Sequence, residues 1–218
     1  MAAVTETVKR NGLPEFWTTA IAKALAGEQP CLLAPWFSGH YRLAKRPRLD
    51  DSALAVWKVK HTALLTETTE KMKAEGWRCS VESYFKVTGQ TAVISGKADL
   101  ICQHPERRPL VIDAKSGSPK GADALQVMIE MIMVPLSWGQ PGLIFGGRLV
   151  YPTHQVEIAP KDAAEIRPKV FAALKQLADP MRPVASPGES ACKFCDVSEL
   201  DCAERFQAVD AVAETELF

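Results

Sequence analysis

The stretch GKADLICQHPERRPLVIDAKSG, residues 96–117, decides how this chain is read. In its second half Leu110, Ile112 and Ala114 fall on one side of an extended chain, and Val111, Asp113 and Lys115 on the other. A strand there sends a carboxylate and an ammonium the same way. Upstream, a strand-like run from Ala92 to Cys102 carries Asp99, and the turn-rich QHPERRP at 103–109 can fold it back beside the first strand. Asp99, Asp113 and Lys115 then converge, in the linear pattern G-x-x-D…D-x-K.

Those residue types suit one chemistry. Mg²⁺ and Mn²⁺ take oxygen ligands, so Asp99, Asp113 and the backbone carbonyl of Ala114 can hold such an ion against a phosphate oxygen. A bound ion polarises phosphorus and activates water. Lys115, on the face of Asp113, can orient that water or offset the charge that builds on the phosphate. A D-x-K read alone is also met as an ordinary salt bridge on an exposed strand.

A second signal lies at SACKFCDVSELDCAERF, where Cys192, Cys195 and Cys202 follow the spacing C-x-x-C-x6-C. MAAVTETVKRNG is no secretory leader, so the expected compartment is reducing and cytoplasmic, and disulfides are not expected. Metal ligation is then the default for clustered thiols. Three cysteines need a fourth ligand, and an iron-sulfur cluster accepts a distant one, for which Cys31 is the candidate. Zinc stays the alternative, since thiolates bind both metals. Cys79 and Cys102, without a cysteine neighbour in sequence, are read as small buried apolar residues.

The order Cys31, His61, Glu82, Asp99, D-x-K at 113–115, Gln126 and C-x-x-C-x6-C resembles the CRISPR-associated iron-sulfur exonucleases and the RecB/AddB-type nuclease domains of the PD-(D/E)XK superfamily. The resemblance runs from about Cys31 to Phe206. It implies a restriction-endonuclease-like α/β core, a central mixed sheet flanked by helices, in one nuclease domain over 1–218. A [4Fe-4S] clasp would join residue 31 to 185–206, leaving a tail at 207–218. The implied activity is a Mg²⁺- or Mn²⁺-dependent deoxyribonuclease, often an exonuclease on single strands or DNA ends, in a CRISPR, phage or repair setting. The alternative is a nuclease-fold DNA-binding subunit of a larger complex, beside an integrase or helicase. By the same resemblance His61 completes the metal sphere, and Glu82 and Gln126 join the catalytic set. The family usually reads Q-x-x-x-Y from Gln126, and here the fifth position is Glu130. A carboxylate there either turns away from the bound strand, opposes its phosphates, or adds a metal ligand.

Lys and Arg equal Asp and Glu at 26 each, so no global field draws DNA in and any attraction is local. The densest basic stretch is HYRLAKRPRL, where Tyr41, Arg42, Lys45, Arg46 and Arg48 combine phosphate contacts with a stacking ring. The terminal ETELF has the apolar ending of a tail that docks on a sliding clamp, or is simply frayed. No run is long enough to span a membrane.

Periodicity predicts helices over about 14–26, 32–46, 51–75, 122–138 and 161–178, the last with Pro168 as a kink or a start. In the third, Leu54, Trp57, His61, Leu64, Leu65, Thr68 and Met72 form an inward stripe. Strands are expected near 80–87, 92–102 and 109–115, and two more joined through Gly146-Gly147. ADPMRPVASPGE reads as a linker.

Overall fold

A computed structural model of the chain describes residues 6–43, 51–193 and 195–206. In chain order the elements are β1 (Val8–Lys9), β2 (Glu15–Trp17), α1 (Thr18–Leu25), α2 (Leu33–His40), β3 (Tyr41–Arg42), α3 (Asp51–Ala74) and β4 (Arg78–Thr88). There follow β5 (Val93–Gln103), β6 (Leu110–Ala114), α4 (Gly121–Ser137), β7 (Gly146–Val150), β8 (Gln155–Ile158), α5 (Pro160–Ala178) and α6 (Glu189–Lys193).

β5 organises a six-stranded mixed sheet. β4 pairs with it antiparallel along its whole length. The other edge is shared: β2 runs parallel to Val93–Ser95, and β6 runs antiparallel to Leu100–Cys102. β7 joins β6 in parallel and β8 closes the sheet antiparallel. Along that shared edge, residues 96–99 have no paired strand, so the sheet is open where Asp99 sits. β1 and β3 form a separate two-stranded ribbon.

Helices cover both faces. α3 packs Leu65 and Met72 on Leu100, Cys102, Ile112 and Ala114, while α1, α2, α4 and α5 pack on Phe16, Ala98, Ile101 and Val111. Val111 and Ile112 are both fully buried on opposite sides of β6, each worth roughly 1.5–3 kcal/mol of apolar burial. A sheet covered on both faces has apolar runs in its inner strands, and LVI is one. The molecule is thus a mixed α/β fold with a central mixed sheet between helices. Among the described residues no helix is long and apolar enough to cross a membrane.

Several local expectations change. Glu15–Trp17 is extended beside β5 rather than helical, so α1 starts only at Thr18. The α3 stripe is inward only from His61 onward: Trp57 is 49% exposed, whereas Leu65, Thr68 and Met72 are buried. Gly146 and Gly147 belong to β7, not to a turn. A Cβ on Gly147 would stand 2.6 Å from Met131 Sδ and 2.7 Å from Val127 Cγ1, so the glycine lets α4 lie close on the sheet. The hairpin turns instead at 151–154. α5 begins at Pro160 and continues through Pro168. Cys79 and Cys102 are not isolated thiols; they face each other in register, with Cα atoms 4.2 Å apart, and are joined as a disulfide. Of the basic stretch, Tyr41 and Arg42 form β3, and Lys45, Arg46 and Arg48 lie outside the described residues, as does the tail with ETELF.

Candidate active site

The β5–β6 ladder ends at the pair Leu100 and Ile112, and the register then sets Asp99 opposite Asp113. At that point a side chain replaces the ladder: Asp99 Oδ2 accepts the N–H of Ala114 at 2.9 Å. The open edge of β5 is therefore capped by the acid itself, which fixes its carboxylate beside β6. His61, from α3, brings Nε2 to 3.2 Å of the same oxygen. The indole of Trp57 lies against its imidazole, with ring centroids 5.0 Å apart.

Asp113 is 2% exposed. Its Oδ1 accepts from Gln126 Nε2 at 3.0 Å. Its Oδ2 stands 2.9 Å from Lys115 Nζ, an ion pair that lacks hydrogen-bond geometry. Gln126, in the second turn of α4, ties the group together: Oε1 accepts from Lys115 at 3.2 Å, and Nε2 donates to Glu130 Oε1 at 3.1 Å as well as to Asp113. An ammonium only donates and a carboxylate accepts, so the neighbours dictate which way the amide faces.

Glu130 is fully buried. It neither faces solvent nor meets a strand on the surface; it underlies the site, one helical turn behind Gln126. Asp123 was not singled out from the sequence. It caps the start of α4, accepting from Lys120 N and from Tyr151 Oη at 2.9 Å each, and stands 3.9 Å from Lys115 Nζ. Its sequence signal is an acid in the first turn of a helix, three residues past the cap. A cleft of about 440 Å³ opens over His61, Asp99, Asp113, Ala114, Lys115 and Gln126.

Glu82 is not drawn in. With φ at 48° it interrupts the β4–β5 ladder directly across from Asp99, and its exposed carboxylate pairs outward with Lys97. That bond holds its pKa below the ordinary value, with the Lys97 and His61 charges adding to the effect.

The electrostatics of the centre are one-sided. Asp99, Asp113, Asp123 and Glu130 surround one ammonium. Burial pushes Asp113 up to about 7; Lys115 pulls against this, and the charges of Asp99 and Asp123 reinforce it. Burial, then the charge of Asp113, holds Glu130 well above the usual carboxylate range. Burial pulls Lys115 down, yet the charge of Asp113 at 2.9 Å, with those of Asp123 and Asp99, leaves it raised overall. Glu130 Oε2 has no hydrogen-bond partner. A surplus of buried carboxylate with an unsatisfied oxygen is what a hard cation with oxygen ligands relieves, so the donor set fits Mg²⁺ or Mn²⁺. Among the described residues no group of three or more His, Cys, Asp or Glu side chains is placed so that it could hold a metal ion as it stands, at the carboxylates or at the cysteines.

Apart from the carboxylates, Cys31, Cys192, Cys195 and Cys202 line one small cavity, with about 10 Å³ of free space between its walls. Backbone N–H groups of Ser186 and Phe206 point at Cys31 Sγ and Cys192 Sγ, each at 3.4 Å. Arg205 threads the loop, donating to the carbonyls of Cys192, Cys195 and Val197. Burial raises the thiols of Cys195 and Cys202. Four thiols from both ends of the chain match the donor number and type of a cluster or of one tetrahedral ion. Tyr41 is stacked on Phe37 with centroids 4.4 Å apart, so one face of its ring is taken.

No protein-family profile matches the chain, and no curated protein does. Among solved structures, a crystal structure of SSO0001 is similar over 91% of this chain and 90% of its own, at 17% identity and a TM-score of 0.47.

Proposed function

We propose that this chain is a metal-dependent deoxyribonuclease of the PD-(D/E)XK superfamily, with a restriction-endonuclease-like core and a cysteine-ligated iron-sulfur clasp, cutting single-stranded DNA or DNA ends. The observation that carries the reading is the crowding of buried carboxylates from β5, β6 and α4 around Lys115. Asp99, Asp113, the Ala114 carbonyl and His61 are the groups that would hold Mg²⁺ or Mn²⁺. A bound divalent cation polarises a phosphodiester and lowers the pKa of water. Lys115 meets the negative charge that grows on the phosphate, and Gln126 keeps that ammonium aimed between Asp113 and the cleft. Asp123 and Tyr151 brace the first turn of α4, from which Gln126 projects. Cys31, Cys192, Cys195 and Cys202 would ligate a [4Fe-4S] cluster, with zinc as the competing metal.

Purified protein on end-labelled single- and double-stranded DNA, with Mg²⁺, Mn²⁺ or chelator, tests the activity. Cleavage should need the ion and vanish in Asp113→Ala. Intact DNA under all conditions, or full cleavage by Asp113→Ala, refutes it. Protein made without oxygen should be brown and carry iron and acid-labile sulfide in comparable amounts; zinc alone refutes the cluster.

A further inference from the structure

A groove of about 720 Å³, larger than the carboxylate cleft, lies between α3 and the β7–β8 hairpin. Ser116, one residue past Lys115, lines both, so the groove runs into the cleft. The Ser116 hydroxyl at this junction is buried without a hydrogen-bond partner. The floor is apolar, made by Leu64, Met72 and Val150. Along one wall stand Lys60 and Lys71, both exposed. Eleven residues apart on a helix, they share a face and lie about 16 Å from each other along the axis. The opposite wall carries Arg148, whose Nε is held by Glu157 while Nη1 reaches across to Met72 Sδ at 3.4 Å. Glu67 is the one carboxylate among the lining residues. With the Arg148 charge met by Glu157, Lys60 and Lys71 stand against Glu67 alone, a positive bias along α3 in a chain whose total charge is zero.

At the hairpin end the imidazole of His154 lies flat on Tyr151, centroids 4.7 Å apart and planes 13° from parallel. Tyr151 is buried beneath and His154 is exposed, so one broad ring face remains open at the groove. Cations spaced along an apolar trench with an open ring face are the chemistry that holds a single nucleic-acid strand: phosphates take the charges, and unpaired bases take the ring. A duplex keeps its base faces stacked inside and can use only the charges.

We infer that this groove is the track along which a single DNA strand reaches the carboxylate cleft, with Lys60 and Lys71 on its phosphates and His154 under a base. The inference rests on the nuclease reading for its destination but stands on its own for binding. The strand thus lies on the α3–β7 side.

The test is fluorescence anisotropy with labelled oligo(dT) on the whole protein in chelator, where cleavage cannot occur, over a series of salt concentrations. Lys60→Ala and Lys71→Ala should each weaken binding several-fold at low salt and flatten the salt slope by about one. His154→Ala should weaken binding with an unchanged slope. Lys175→Ala, exposed on α5 across the sheet from α3, should leave oligo(dT) binding as it was, and blunt duplex should bind more weakly than the single strand. Groove variants that bind like the wild type, or binding lost instead in Lys175→Ala, overturn the track even if the protein cuts DNA. Weakened binding in the groove variants of a protein that leaves DNA intact with every metal tried would uphold the track and refute the nuclease reading instead. No binding of oligo(dT) by the wild type overturns the track outright.

Discussion

Replacing Asp113 by asparagine should stabilise the metal-free protein, and the gain should grow with pH. Asp113 has its pKa raised from 3.8 to about 7. The folded chain therefore keeps a proton on Asp113 through a range in which the unfolded chain has already lost it. Between pH 4 and 7 the folded state binds more protons, so stability falls as pH rises; below that window both states are protonated, and above it both are ionised. The difference corresponds to about 4 kcal/mol of strain at pH 8, carried by a group that is 2% exposed. Asparagine keeps the shape and removes the ionisation. For a chain of this size, about 4 kcal/mol is a Tm difference on the order of 10 °C. Thermal unfolding in chelator should thus show Asp113→Asn matching the wild type near pH 4 and exceeding it by about that amount at pH 8. Adding Mn²⁺ at pH 8 should raise the wild type, by about 2.7 kcal/mol at a hundredfold excess over Kd, and leave Asp113→Asn unmoved. Superimposable wild-type and Asp113→Asn curves from pH 4 to 8 would show that this carboxylate carries no electrostatic strain, and the case for a cation beside it would fall.

Glu130→Gln keeps an acceptor for Gln126 and removes a buried group that can ionise, so it should raise metal-free Tm increasingly as pH rises, without changing single-strand affinity; altered affinity would mean that Glu130 reaches the strand. Lys115→Met leaves Asp113 without its ion pair, which should cost roughly 3–5 kcal/mol in chelator by urea unfolding and abolish cleavage while Mn²⁺ still binds; retained cleavage would remove Lys115 from the chemistry. Serine at Cys31, Cys192, Cys195 or Cys202 should each lower iron and sulfide content, whereas serine at Cys79 or Cys102 should spare the metal and cost about 2–4 kcal/mol of stability through the lost crosslink. Equal metal content across all six would dissolve the distinction.

What could be read from the sequence followed from period and order. LVIDAK alternates with a period of two, and that alone puts Asp113 and Lys115 on one face; the QHPERRP turn sets the antiparallel return that brings Asp99 opposite. Contacts fixed by register or by a third element were not legible. Cys79 and Cys102 lie 23 residues apart in the chain and become neighbours only through the β4–β5 pairing. Trp57 fits the helical stripe of α3 by spacing, yet the sheet is too short to cover the first turns of that helix, so the ring is half exposed. Gly146-Gly147 has the composition of a turn and the role of a landing strip for α4. Glu130 was recognised as a departure, but only the packing of α4 on β6 shows that it is sealed beneath the site. Asp123 looks like a helix cap from sequence and is one, and its proximity to Lys115 comes from the parallel β6–β7 pairing that brings Tyr151 alongside.

The cysteine cavity and the carboxylate cleft are linked through a short segment. Cys31 lies three residues after Glu28, and Glu28 Oε1 accepts the N–H of Ala122 at 2.8 Å, in the first turn of α4. That turn carries Asp123 and leads to Gln126, so the segment that carries Cys31 and the orientation of Lys115 share one backbone anchor. Hydrogen bonds join the two ends of the described chain. Trp36 Nε1 donates to the Asp179 carbonyl at 2.7 Å, His40 Nε2 bonds the Leu177 carbonyl at 2.9 Å, and Thr7 Oγ1 donates to Asp201 Oδ2 at 2.9 Å. At about 1 kcal/mol net for each, the first two tie α2 to the end of α5, and the third ties the N-terminal segment to the cysteine loop. Glu28 lines the carboxylate cleft and Cys31 the cysteine cavity, so three residues of backbone connect the two.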